Sequence, residues 1–429
     1  MNEILRTPPV GLLPWAPERA GPDSMASPAP PPPRRPLPGI GFLWLPLRLA
    51  WRQLRAEKSR LASAIAGVMF ACVLVFMQLG FRAALFDSAT ALLANMKAEL
   101  FLIHPLTTAS FRPEPIPRVR AYQTLADPEV AQAVPIYLAQ ATFRNPVDGS
   151  RRAVQMIGFD PESGAIQFDG LAPLVDALKR PDTVAFDGLS RPEFGPIGDL
   201  VAALPAGSAL RVQIGNRNVD VVGMVTIGPS FGADGNAVSN EVNFRRIVSE
   251  RRPTNTDLVA LRLAPGADPA AVQARLRRLL PPDVNVLTHA ELVAHERNYW
   301  ETATPIGFIF AFGSLMGLIV GMVIVYQILF SDIANHLREY ATLKAIGYSN
   351  FFLARVVMSA ALILAGFGFL PGAVVSAVMY DSIGAATFLP LGMTMDRGIA
   401  VFIMIFTMCG LAGLLAMRKL RAANPADMF

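Results

Sequence analysis

Four long runs almost free of charge limit what this chain can fold into more than anything else in it. Leu61 to Phe81 holds one strongly polar side chain, Gln78, and Ile306 to Phe330 holds no charge. Phe351 to Tyr380 carries only Arg355, near its start, and Ile399 to Met417 is again uncharged. Crossing a bilayer core takes about 20 mostly apolar residues. A helix suits that task because its backbone N–H and C=O groups are satisfied within the segment. Four such runs in one chain argue against a soluble fold. Composition agrees, with 52% hydrophobic and 17% charged residues, where an ordinary soluble domain is about 25% charged. The apolar excess is confined to the runs, and the middle of the chain reads as globular sequence. The expected fold class is therefore an α-helical membrane protein with four transmembrane helices and a large α/β extracytoplasmic domain between helices 1 and 2.

Basic flanks set the expected orientation. Arg48, Arg52, Arg55, Lys58 and Arg60 precede the first span, and Arg418, Lys419 and Arg421 follow the last. The positive-inside rule then puts both termini in the cytoplasm, which an even number of spans requires independently. The segment from about Leu85 to Thr302 falls outside, and its 21 Lys+Arg against 24 Asp+Glu leave it at −3. The whole-chain charge of +5 thus belongs to the inner membrane surface. It points to lipid headgroups, not to nucleic acid.

The expected divisions follow. Residues 1–41 are a Pro-rich cytoplasmic tail, with 12 of the 36 prolines in the first forty residues and no signal peptide. Residues 42–60 form an amphipathic interfacial helix, with Leu43, Leu47, Ala50, Trp51 and Leu54 opposite Arg48, Arg52 and Arg55. Transmembrane helices span 61–84, 303–330, 351–380 and 396–417. A periplasmic α/β domain with helical stalks spans 85–302, a cytoplasmic loop 331–350 and a cytoplasmic tail 418–429.

Within the external segment, Ala83–Leu100 has no Pro or Gly and reads as a helix leaving the membrane. Ile136–Phe143, Ala153–Phe159, Leu210–Ile214, Asp220–Ile227 and Asp257–Leu263 read as strands. Pro269–Leu280 has a helical pattern and Val284–Leu287 reads as a strand. Together with the preceding strand they suggest a compact βαβ-like unit, or a split arrangement because the crossover is short. Thr288 and Glu291 match a capping box that starts a helix running through Trp300 towards Pro305.

Catalytic chemistry is hard to find. Cys72 and Cys409 both lie in spans, so the external domain has no disulfide. His289 and His295 with Glu291 and Glu296 are the one histidine cluster, and their spacing does not match a zinc-protease helix. There is no G-x-S-x-G and no G-x-x-x-x-G-K-[ST], so ATP phosphates are not cradled by that route here. No cofactor or metal is expected in this chain.

Two features remain. Gly313, Gly317 and Gly321 stand four apart on one face of the second span, a spacing that lets helix backbones approach closely and suits a packing or dimer face. The loop after that span reads His336-Leu337-Arg338-Glu339-Tyr340-Ala341-Thr342-Leu343-Lys344-Ala345-Ile346-Gly347. Leu337, Tyr340, Ala341 and Lys344 share one face of a short helix, and Gly347 is placed to end it.

Glu339 to Gly347, E-Y-A-T-L-K-A-I-G, resembles the cytoplasmic signature of the FtsX-like, MacB-type permeases, R-E-I-A-x-L-R-A-I-G. The variant here is similar to that of DevC-type permeases of the heterocyst glycolipid exporter group. Leu420 to Asp427 resembles the terminal R-x-x-(D/N)-P-A-(D/E) motif of the same family. The resemblance covers the chain from about Leu45 to Phe429. The Pro-rich tail falls outside it, and no nucleotide-binding domain is fused.

The resemblance implies the permease subunit of a mechanotransmission ABC exporter in the inner membrane, moving a lipid, glycolipid or other amphiphile. It further implies a homodimer, a separate ABC ATPase holding ATP and Mg, a periplasmic membrane-fusion adaptor and a TolC-like outer-membrane channel. Arg338, Glu339, Tyr340, Thr342, Leu343, Lys344 and Gly347 would form the ATPase-coupling helix. Alternatives are an FtsX-like regulator of cell-wall hydrolases and a membrane enzyme acting through the external domain. The size of that domain counts against the first, and the lack of a catalytic constellation counts against the second.

Overall fold

The computed structural model describes residues 41–422 except 206, 231, 250 and 251. The Pro-rich tail through residue 40 lies outside the described residues, as do residues 423–429 of the C-terminal motif. The chain forms two units, Met1–Trp44 and Leu45–Phe429; of the first, residues 41–44 are helical.

Helix α1 (Gly41–Ala56) is separated only by Glu57 from α2 (Lys58–Ala89). After the intervening domain come α10 (Ile306–Asn335), α11 (Leu337–Ala345), α12 (Asn350–Thr387) and α13 (Met395–Ala422). Helices α2, α10, α12 and α13 are long and apolar enough to cross a membrane, and only 22–39% of their most apolar windows is buried. A soluble core helix would be buried nearly all round. Here Phe308, Phe312, Leu315, Ile319 and Val323 of α10 are exposed, a surface that only lipid or another apolar face can satisfy.

Helix α2 is the hub of the bundle, because small residues let its neighbours close on it from two sides. A Cβ added at Gly321 of α10 would lie 2.5 Å from the Ala71 Cβ, and one at Gly372 of α12 would lie 2.8 Å from the Cys72 Cβ. Nearer the domain, Gly80 leaves room for Tyr380, which is fully buried and donates to the Phe76 carbonyl.

The domain contains α3 (Ala91–Ala94), β1 (Leu100–Ile103), β2 (Ile116–Pro117), α4 (Val119–Thr124), β3 (Val130–Arg144), β4 (Arg151–Gly158) and α5 (Val175–Leu178). It continues with β5 (Thr183–Asp187), α6 (Ile197–Ala202), β6 (Leu210–Ile214), β7 (Arg217–Val225), β8 (Asn236–Ser239) and α7 (Glu241–Ile247). It ends with β9 (Asn255–Thr256), β10 (Leu258–Leu263), α8 (Pro269–Leu279), β11 (Asn285–Thr288) and α9 (His289–Asn298). One nine-stranded sheet runs β11-β1-β10-β3-β4-β8-β5-β7-β6, and β3 also meets β6. The last six strands thereby close on themselves around Phe143, Phe186, Phe194 and Phe244.

Strand β3 is the spine, pairing with β10 through its first half and with β4 through its second. Strands β10 and β11 are both antiparallel to β1, which lies between them. The expected βαβ unit is therefore of the split kind. The helix expected over Ala83–Leu100 is corrected: α2 stops at Ala89, and Leu100–Ile103 is a strand buried on both faces. The run Leu-Phe-Leu-Ile gains more from two strand neighbours than from a lone helical projection.

Candidate coupling site

Helix α11 follows α10 after a single residue, His336, whose backbone N–H reaches back to the Asp332 carbonyl. Its inward face is the one the spacing marks. Tyr340 and Ala341 are buried, and Leu337, Leu343 and Lys344 are half-buried. The Tyr340 hydroxyl donates to Gln53 Oε1 at 3.3 Å, and Gln53 Nε2 donates to Glu339 Oε2 at 3.4 Å. Gln53 of α1 thus seats α11 from both sides of one turn. Burial pushes the Tyr340 phenol pKa up, away from ionisation.

The helix ends as the glycine requires. Gly347 has φ of 104° and donates to the Lys344 carbonyl at 3.1 Å, while the Tyr348 N–H bonds the Leu343 carbonyl at 3.1 Å. That pair of bonds is a Schellman closure. Two residues on, the Ser349 side chain accepts from the Phe352 N–H and caps α12. The turn between the two helices is therefore tied at both ends.

Of the expected coupling residues, Arg338, Glu339, Thr342 and Gly347 are exposed. Tyr340 is corrected: it faces its own chain and is not presented to a partner. Leu343 is likewise directed at the bundle core. Three exposed apolar side chains escaped the sequence reading, namely Ile346 (71% exposed), Tyr348 and Phe351 (67%). Apolar residues this exposed at a tight turn were the available signal.

The glycine stripe is also corrected in its role as a dimer face. A Cβ on Gly313 would meet the Gln78 amide at 2.5 Å, and one on Gly317 would meet Leu74 at 3.4 Å. Gly321 faces Ala71 and Met408. All three are spent on contacts within one chain.

At the other end of the bundle, α9 begins with the expected capping box between Thr288 and Glu291. It then passes into a π-helical turn, Tyr299–Ala303, before Pro305 starts α10. Single π turns mark local departures from the regular ladder. Arg82 of α2 pairs with Glu301 in this turn at 2.5 Å, and Asp87 pairs with Arg297 at 3.4 Å. Glu296 is buried and accepts from the Ser110 N–H at 2.7 Å and from Trp300 Nε1 at 3.0 Å. Desolvation raises its pKa above the ordinary carboxylate range. His289 bonds the Leu93 carbonyl and His295 the Thr107 carbonyl. The histidine–glutamate cluster is thus engaged in joining α9 to the rest of the domain. Among the described residues, no group of three or more His, Cys, Asp or Glu side chains is placed to hold a metal.

The MacB-like periplasmic core domain profile matches residues 61–279, just over half the chain, and the FtsX-like permease C-terminal profile matches 311–425. The chain belongs to the FtsX/MacB-type family of ABC transporter permeases. No curated protein matches it. Among solved structures it is similar to the periplasmic region of MacB from Actinobacillus actinomycetemcomitans, at 10% identity and a TM-score of 0.33, over 48% of this chain and 95% of that one. It is also similar to the extracellular domain of the noncanonic ABC-type transporter YknZ from Gram-positive bacteria, at 13% identity and a TM-score of 0.32, over 44% and 98%. Permeases of this family are multi-pass membrane subunits, generally without catalytic activity of their own, and work with an ABC ATPase and an adaptor.

Proposed function

We propose that this chain is the membrane lever of an ABC exporter for a lipid, glycolipid or other amphiphile, of the DevC type. Two copies work with two copies of a separate ATPase that holds ATP and Mg. Both termini face the cytoplasm, and the α/β domain stands in the periplasm, engaging a membrane-fusion adaptor that leads to a TolC-like outer-membrane channel. The outward face of α11 is the ATPase seat, formed by Arg338, Glu339, Thr342 and Ile346, with Phe351 beside it. ATP-driven movement of that seat is passed along α10 to the π turn and from there to the domain.

The observation that carries this reading is the way α11 is held. Its inner face is fixed on Gln53 and the bundle core, while Arg338, Thr342 and Ile346 stand exposed on the other side of a helix that follows α10 after one residue. Because α11 follows α10 after the single residue His336, a push on that outer face is directed into α10.

Glu339→Arg reverses a charge on the seat and gives up the bond accepted from Gln53, leaving the Tyr340–Gln53 bond to hold the inner face. Gly347→Pro forces φ to about −65°, where the turn needs a positive value, and removes a donated hydrogen bond. Both variants are expected to insert normally and to lose stimulation of the ATPase and transport. Full activity in both would reject the coupling role of α11.

A further inference from the structure

Among the described residues, the arginine face of α1 has no ion-pair partner. The helix docks through its opposite side: Ala50 and Leu54 are buried against the membrane bundle, and Gln53 is committed to α11. Trp51 stacks on Phe367 of α12 with ring centroids 5.3 Å apart. Arg48, Arg52 and Arg55, spaced four and three apart, therefore share the outward face. All three are exposed, and none forms an ion pair among the described residues. The nearest acid along the chain, Glu57, is already paired with Arg60 at 2.6 Å.

Three guanidiniums, unpaired among the described residues, stand on one short face. We propose that this face of α1 is a binding site for the phosphate headgroups of anionic phospholipid. Three features favour lipid over a free phosphate. Helix α1 runs into the membrane-spanning α2 after one residue, which holds the arginines at bilayer level. The Trp51–Phe367 stack ties α1 to a second span, α12. Leu45 and Leu47 are 42% and 41% exposed on either side of the arginine face, placed to contact acyl chains beneath a headgroup. Planar guanidiniums also suit phosphate better than ammonium groups do, through paired hydrogen bonds.

The site does not depend on the coupling role of α11, so its test omits the ATPase. The full-length protein is placed in nanodiscs of mixed phosphatidylglycerol and phosphatidylcholine, and retained lipid is counted by native mass spectrometry after release. The wild type should keep phosphatidylglycerol in preference. The triple variant Arg48→Gln, Arg52→Gln, Arg55→Gln should lose that preference by about tenfold or more at low salt. The triple lysine variant should keep part of it, which separates lost charge from lost fold. Equal preference in wild type and glutamine variant would overturn the proposal. So would displacement of the lipid by millimolar inorganic phosphate.

Discussion

The two connections between bundle and domain are built in opposite ways. Helix α2 passes from the membrane into the domain as 32 unbroken helical residues, closed on by glycine-lined contacts from α10 and α12. The other connection changes character three times in a few residues, from α9 to a π turn, to the extended Thr304, to Pro305 and α10. One is a post and the other a joint. The same membrane that demands a continuous ladder inside the bilayer leaves the chain free to break it just outside, where Thr304 Oγ1 and the Arg82–Glu301 pair take over.

The largest effect should come from breaking the post. Ala84→Pro places a proline at a buried position in the domain-side end of α2 and should cost about 3 kcal/mol or more, seen as loss of monodisperse protein in detergent. If that variant remained folded, α2 would not be a fixed element. Glu296→Ala, beside the joint, leaves the Ser110 N–H and Trp300 Nε1 without their acceptor and should cost about 1–3 kcal/mol. The sign of its pH dependence follows from burial. Because the folded carboxyl titrates above the unfolded one, the native state binds more protons between the two values. Stability is thus fullest below about pH 4.5 and falls as pH rises through the folded value. Glu296→Gln should flatten that fall in thermal unfolding across the acid range, and an unchanged slope would remove Glu296 as its source.

Pro305→Ala tests the joint by restoring a donor. It should change stability by less than about 1 kcal/mol yet slow transport, since α9 and α10 could then merge into one rod. Smallest of all is the exposed Asp87–Arg297 pair. Removing either member should shift unfolding by no more than about 0.5 kcal/mol, and a larger loss would show that the post and joint are clamped there.

Long-range order was legible in the sequence where one physical demand dominated. Spans declared themselves because lipid requires sustained apolar runs, and the Thr288–Glu291 cap because its two side chains satisfy each other's backbone. Gly347 was legible because only glycine enters the left-handed region at no cost. Strands β1, β5 and β8 were missed. They are four or five residues long and buried on both faces, so they lack the alternation that identifies a strand. The π turn has no sequence signature at all, and the Tyr340–Gln53 bond joins positions 287 residues apart, which no local pattern announces. The stripe Gly313–Gly317–Gly321 announced close packing but could not say on which helix.

The most direct test of the lever is to tie the joint to the post. Cysteines at Asp87 and Arg297, introduced where Cys72 and Cys409 are buried and replaced to clear the background, can be bridged with a short bifunctional thiol reagent. The account predicts that the bridged permease still assembles with its ATPase, that transport stops, and that cleaving the bridge restores it. Undiminished transport with the bridge fully formed would contradict it.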